Sequence, residues 1–133
     1  MTDENRKANI ADELARASEA FREARTLLGA KLPNGAVSRS YYAVFHLMRA
    51  ALLSRDTDPK THAGAIHLFN LHLIRPGILP AFNKLLSGLQ RARELADYDA
   101  TVVFTHDEAS AFISDVETFD TAVRTLLARE GWT

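Results

Sequence analysis

The sequence predicts an all-α, up-and-down bundle of four or five helices. Three observations predict it. Apolar residues recur at helical spacing along most of the chain, beginning with Ile10, Leu14, Ala17, Phe21, Ala24 and Leu28, alternately four and three apart. No segment alternates apolar and polar residues as a half-buried strand would. The 133 residues are 47% hydrophobic and 25% charged, the balance of one soluble globular core. A chain of this size buries roughly two-thirds of its surface on folding, so one domain over 1–133 is expected.

The first helix carries the stripe just named, and Gly29 is its expected stop. Residues 31–35, with Pro33 and Gly35, read as a loop. The second helix is expected over about 36–54. Tyr41, Phe45, Met48 and Leu52 form one apolar stripe on it, and Ala43, Leu47 and Ala50 cover another side. A helix apolar most of the way round belongs at the centre. Its one polar line is Arg39, Tyr42, His46 and Arg49.

Asp58 before Pro59 suits a helix start, which places the third helix over about 59–74. Pro76 and Gly77 break it, and Pro80 is expected to start a fourth helix bearing Phe82, Leu85, Leu89, Ala92 and Ala96. The short β-branched segment 99–104 reads as a connector. Thr105 followed by Glu108 is a capping box that opens the fifth helix. There Ala109, Phe112, Val116, Phe119, Val123 and Leu126 form the stripe, and Gly131 ends it.

Composition excludes several chemistries. Without cysteine there is no disulfide, thiol nucleophile, cysteine zinc site or iron–sulfur cluster. The glycines are too scattered for a phosphate-binding loop or a dinucleotide fingerprint, and no Gly-x-Ser-x-Gly elbow occurs. His62, His67 and His72 are five apart, about 140° round a helix, so successive ones cannot share a face. Neither His-Glu-x-x-His nor Glu-x-x-His is present, so neither a metal nor a cofactor is expected. The acidic, polar N-terminus is no signal peptide, and the greasiest stretch, 43–53, is too short to span a membrane. A cytoplasmic protein is the expectation.

Net charge is −1, but unevenly spread. Residues 31–95 hold nine Lys/Arg against three Asp/Glu, whereas residues 96–133 hold two against eight. The basic middle is either a phosphate-binding face or the complement of the acidic end.

Two polar clusters are candidate sites. The first closes the fourth helix: Arg93-Glu94-Leu95-Ala96-Asp97-Tyr98-Asp99. Arg93 and Asp97 share a helix face that Ala92 and Ala96 place beside the buried stripe. The pair is either a surface ion pair with Tyr98 anchoring the helix end, or a partly desolvated Arg93, oriented by Asp97, that binds phosphate through its planar fork. The second is the polar line of the second helix. Either Arg39 and Arg49 pair with Asp97 or Asp99 while His46 donates to a backbone carbonyl, or the line faces a groove.

Ser38-Arg39-Ser40-Tyr41-Tyr42-Ala43-Val44-Phe45-His46, Asp58-Pro59-Lys60-Thr61-His62-Ala63-Gly64, Ile66-His67-Leu68-Phe69 and Arg93-Glu94-Leu95-Ala96-Asp97-Tyr98-Asp99 together resemble one branch of the HEPN (higher eukaryotes and prokaryotes nucleotide-binding) family. The resemblance runs from about residue 36 to 119. It implies an HEPN-like helical bundle that forms a homodimer. It also implies a place beside a minimal nucleotidyltransferase in a toxin–antitoxin or phage-defence pair. Active members of the family are metal-independent endoribonucleases whose motif is Arg, four to six residues, then His. Arg binds the phosphate, and His assists in-line attack by the 2′-hydroxyl.

Here Arg93 is followed after four residues by Tyr98 instead of His. A phenol, with a usual pKa near 10, is a poor general base at neutral pH. Arg39 and His46 fit the spacing but lie on an earlier helix. The resemblance thus implies phosphate recognition by Arg93 with Asp97 and Tyr98, and Arg39 and His46 as lesser candidates. Three functions follow: a toxin-like ribonuclease acting on RNA, a non-catalytic module binding a nucleotide or a protein partner, and a structural dimer whose polar clusters are core ion pairs.

Overall fold

The computed structural model describes residues 2–133. Five α-helices follow one another: α1 (Asp3–Gly29), α2 (Pro33–Leu53), α3 (His62–Phe69), α4 (Asn83–Tyr98) and α5 (His106–Arg129). A π-helical turn, Asn70–Ile74, prolongs α3. The described residues contain no strand. None of their helices is long and apolar enough to cross a membrane.

Helix α2 is the centre, packing against α1, α3, α4 and α5. Its buried side chains, among them Val37, Tyr41, Val44, Leu47, Met48 and Leu52, point to every side. Alanines let α1 lie close along it: Ala17, Ala20 and Ala24 on α1, with Ala36, Ala43, Ala50 and Ala51 on α2, are all buried. Phe119 of α5 closes the other side. It lies 5.4 Å from Phe69 and meets Phe82 edge-on at 5.0 Å.

Several helix ends differ from expectation, each for a local reason. Gly29 does not stop α1 by a left-handed turn. It is the last helical residue, and Lys31 takes the left-handed conformation (φ 62°). The loop is shorter than 31–35, because Pro33 opens α2, where its missing N–H costs no helical hydrogen bond. Pro59 does not open α3. The Thr61 side chain accepts the Gly64 N–H and caps the helix there. Pro80 does not open α4. The Phe82 N–H donates to the Pro80 carbonyl in a tight turn, and α4 begins at Asn83.

The Pro76–Gly77 break occurs, with Gly77 left-handed at φ 77°. The Thr105–Glu108 capping box forms in both directions. On α5, Ile113 is buried and Phe112 half-buried, a slight rotation of the expected stripe. The connector between α4 and α5 is fastened to the start of α2. The Asn34 side chain donates to the Val102 carbonyl and accepts the Phe104 N–H.

Candidate functional site

Arg93 continues the buried face of α4 after Leu86, Leu89 and Ala92, and is itself only 9% exposed. Its guanidinium carbon lies 4.8 Å from the centre of the Tyr41 ring and 6.0 Å from that of Tyr98. The Nε atom is buried and has no hydrogen-bond partner. Asp97 stands 3.9 Å from Nη1, a distant ion pair rather than a hydrogen bond. A cation taken out of water normally gains a close, hydrogen-bonded anion. Arg93 has the burial without that anion, so its position favours a negatively charged ligand.

The Tyr41 ring under Arg93 is fully buried on α2, and its hydroxyl lies 2.6 Å from Nδ1 of His62 at the start of α3. Burial pushes the Tyr41 phenol up to about 12, against the charge and hydrogen bonding of Arg93, so it stays protonated at neutral pH. His62 is held below its ordinary value, first by burial and then by the positive charges of Arg93 and His46. Its ring stacks on Phe45, centroids 4.2 Å apart. Tyr41, His62 and Arg93 thus form one cluster drawn from α2, α3 and α4. Sequence spacing gives no sign of it, because His62 lies remote from the Arg93 motif.

The α2 polar line faces α1 instead of α4, which corrects the expected pairing with Asp97 or Asp99. Arg39 pairs with Glu23 at 3.7 Å and covers the Tyr42 ring. His46 Nδ1 meets the Glu13 carboxylate at 2.7 Å, not a backbone carbonyl. Arg49 Nε lies 3.0 Å from Glu13 with its N–H directed off the oxygen, and Nη2 donates to Asp58 at 3.3 Å. The reason is geometric: α1 lies along this side of α2 and presents Glu13 and Glu23 to it. Arg39, Tyr42 and His46 line a shallow cleft with Arg16, Glu19 and Glu23 of α1, separate from Arg93. Asp99 is used locally. It accepts the Thr101 N–H and hydroxyl, which hold its carboxyl below the usual range.

Arg93 opens onto a groove of about 600 Å³ whose other walls are Glu94, Leu95, Tyr98, Asp99 and Ala100. Tyr98 stands out on its rim, 78% exposed, so it does not anchor the helix end. An exposed aromatic ring beside a buried guanidinium offers a base-stacking surface next to a phosphate ligand.

The HEPN domain family model matches residues 10–126, which include every residue of this cluster. The chain belongs to the HEPN family. Among its relatives, "Putative toxin MJ0605" of Methanocaldococcus jannaschii is 36% identical over 104 residues, 77% of each chain. "UPF0332 protein glr0978" of Gloeobacter violaceus is 41% identical over 88 residues, 65% of this chain and 70% of that one. "Putative toxin MJ0142" of M. jannaschii is 29% identical over 97 residues, 72% of this chain and 66% of the relative. This HEPN chain is thus similar to proteins that carry the name "Putative toxin", and its five-helix architecture agrees with the bundle that membership implies.

Proposed function

We propose that this HEPN protein is the RNA-directed component of a toxin–antitoxin or phage-defence pair, with a minimal nucleotidyltransferase as its partner. It acts as a homodimer in the cytoplasm and holds an RNA backbone phosphate on Arg93. The observation that carries the reading is the buried Arg93 guanidinium, whose Nε is unpartnered and whose nearest carboxylate stands 3.9 Å off. Its fork can donate to two phosphate oxygens at once. The exposed Tyr98 ring stacks a neighbouring base, and Asp97 limits the swing of the guanidinium. The relatives named as toxins support a harmful activity, and RNA cleavage without a metal is the chemistry that resemblance to active HEPN proteins suggests.

A second reading rests on Tyr98, which occupies the place where active members carry His. In that reading the protein binds a nucleotide phosphate or its partner without cleaving anything.

The test is RNA cleavage by purified wild type and Arg93→Ala in the presence of chelator, beside binding of single-stranded RNA. Cleavage and binding that both vanish in Arg93→Ala support the first reading. Wild type that binds ATP but neither binds nor cleaves RNA supports the second. Wild type that binds neither refutes the phosphate site.

A further inference from the structure

We infer that His62 is a second phosphate ligand of the Arg93 site, donating through Nε2, and that Tyr41 fixes the tautomer that makes it a donor. The inference deepens the proposed phosphate site and rests on it.

The geometry begins with Tyr41, which touches both groups. Arg93 lies over its ring at 4.8 Å, and its hydroxyl meets His62 Nδ1 at 2.6 Å. One buried side chain of α2 therefore holds the guanidinium and the imidazole on a common support. Phe45 fixes the plane of the imidazole from the other side by stacking at 4.2 Å. His62 is also the first residue of α3, where the helix dipole favours an anion, although the Thr61 hydroxyl and carbonyl already accept the Gly64 and Ala65 N–H groups.

The direction of the Tyr41–His62 hydrogen bond follows from donor and acceptor counting. Arginine has only donors, so it cannot take the phenolic proton. The phenol keeps that proton at neutral pH and gives its hydrogen bond to Nδ1. A neutral imidazole with Nδ1 accepting carries its own proton on Nε2. Burial, and then the charge of Arg93, hold His62 below its ordinary value and so favour the neutral ring. Tyr41 thus holds a guanidinium and an imidazole whose Nε2–H is free to donate. Arg93 and His62 are donors that suit a phosphate oxyanion, and they offset the carboxylates of Glu94, Asp97 and Asp99 that stand on the other side of Arg93.

The role differs from that of a general base. A ring that bears its proton on Nε2 has no lone pair there to accept another; a second proton would have to go to Nδ1, which the Tyr41 hydroxyl occupies, and would put a charge beside Arg93. His62 therefore binds and orients the phosphate, and any proton transfer from an attacking 2′-hydroxyl falls to another group.

The experiment measures binding of a 2′-O-methylated single-stranded RNA, which cannot be cleaved through its 2′-oxygen, to full-length wild type, His62→Ala, His62→Gln and Arg93→Ala. ATP is titrated in parallel to separate a free nucleotide from an RNA backbone as the source of the phosphate. A hydrogen bond to a charged acceptor corresponds to about tenfold or more in affinity. His62→Ala is expected to weaken binding by that much, whichever of the two probes the wild type takes. His62→Gln, which keeps an N–H near the place of Nε2, is expected to stay within about threefold. Nitrogen NMR of the imidazole is expected to find the proton on Nε2 in wild type. His62→Ala that binds like wild type while Arg93→Ala fails overturns the inference and leaves the Arg93 site standing. A folded His62→Gln as weak as His62→Ala, or a proton found on Nδ1, also overturns it. Wild type that binds neither probe overturns both.

Discussion

The Tyr41 hydroxyl and Nδ1 of His62, 2.6 Å apart, join the middle of α2 to the first turn of α3. Both partners are taken out of water, and that burial displaces each from its ordinary titration in a measurable way.

Tyr41 ionises last. Its phenol is raised to about 12, so the neutral form is the one the fold favours. The stability it contributes is complete below the usual tyrosine pKa near 10 and is lost as pH rises through about 12. Absorbance titration of phenolate should display a late step that Tyr41→Phe removes. Identical high-pH curves for the two proteins would contradict the assignment.

His62 makes the fold sensitive to acid. Its folded value lies below 6.5, so between that value and 6.5 the unfolded chain binds the extra proton. Stability from this group is complete above pH 6.5 and falls as pH drops below it. Thermal unfolding of wild type and His62→Gln across pH 6.5 tests this. The wild type should lose more stability than the variant on the acid side.

In the proposed function Arg93 serves binding more than stability. Its guanidinium is buried with no close anion, so an apolar side chain of similar length relieves an uncompensated charge. Arg93→Met should leave unfolding free energy within about 1 kcal/mol of wild type, or raise it, while abolishing RNA binding. Loss of about 3–5 kcal/mol in denaturant titration would mean instead that Arg93 is one half of a structural ion pair.

Phe119 holds the helices together. It is fully buried between Phe69 and Phe82, so Phe119→Ala should cost about 3–5 kcal/mol in the same titration. Thr105→Ala, which removes only the α5 cap, should cost about 1 kcal/mol.

The helical stripes and the α5 capping box were legible in the residues, because period and capping are properties of local sequence. The starts of α3 and α4 were not. Pro59 and Pro80 both resemble helix starts, but the Thr61 side-chain cap and the turn closed by the Phe82 N–H on the Pro80 carbonyl begin the helices later. Arg93 could be found because Ala92 and Ala96 place it against the core. The partners of Arg39, His46 and Arg49 could not, since periodicity says which face points inward but not which helix it meets. His62 escaped for the same reason: its relation to Arg93 passes through a ring on a third helix.

The Asn34 side chain spans the connector after α4 as a cross-strand pair would, one group donating and one accepting. The connector that continues the groove wall is therefore fastened at both ends, to its own helix and to the first turn of α2. Asn34, which lines no part of the groove, thus tethers the segment that leads away from its wall.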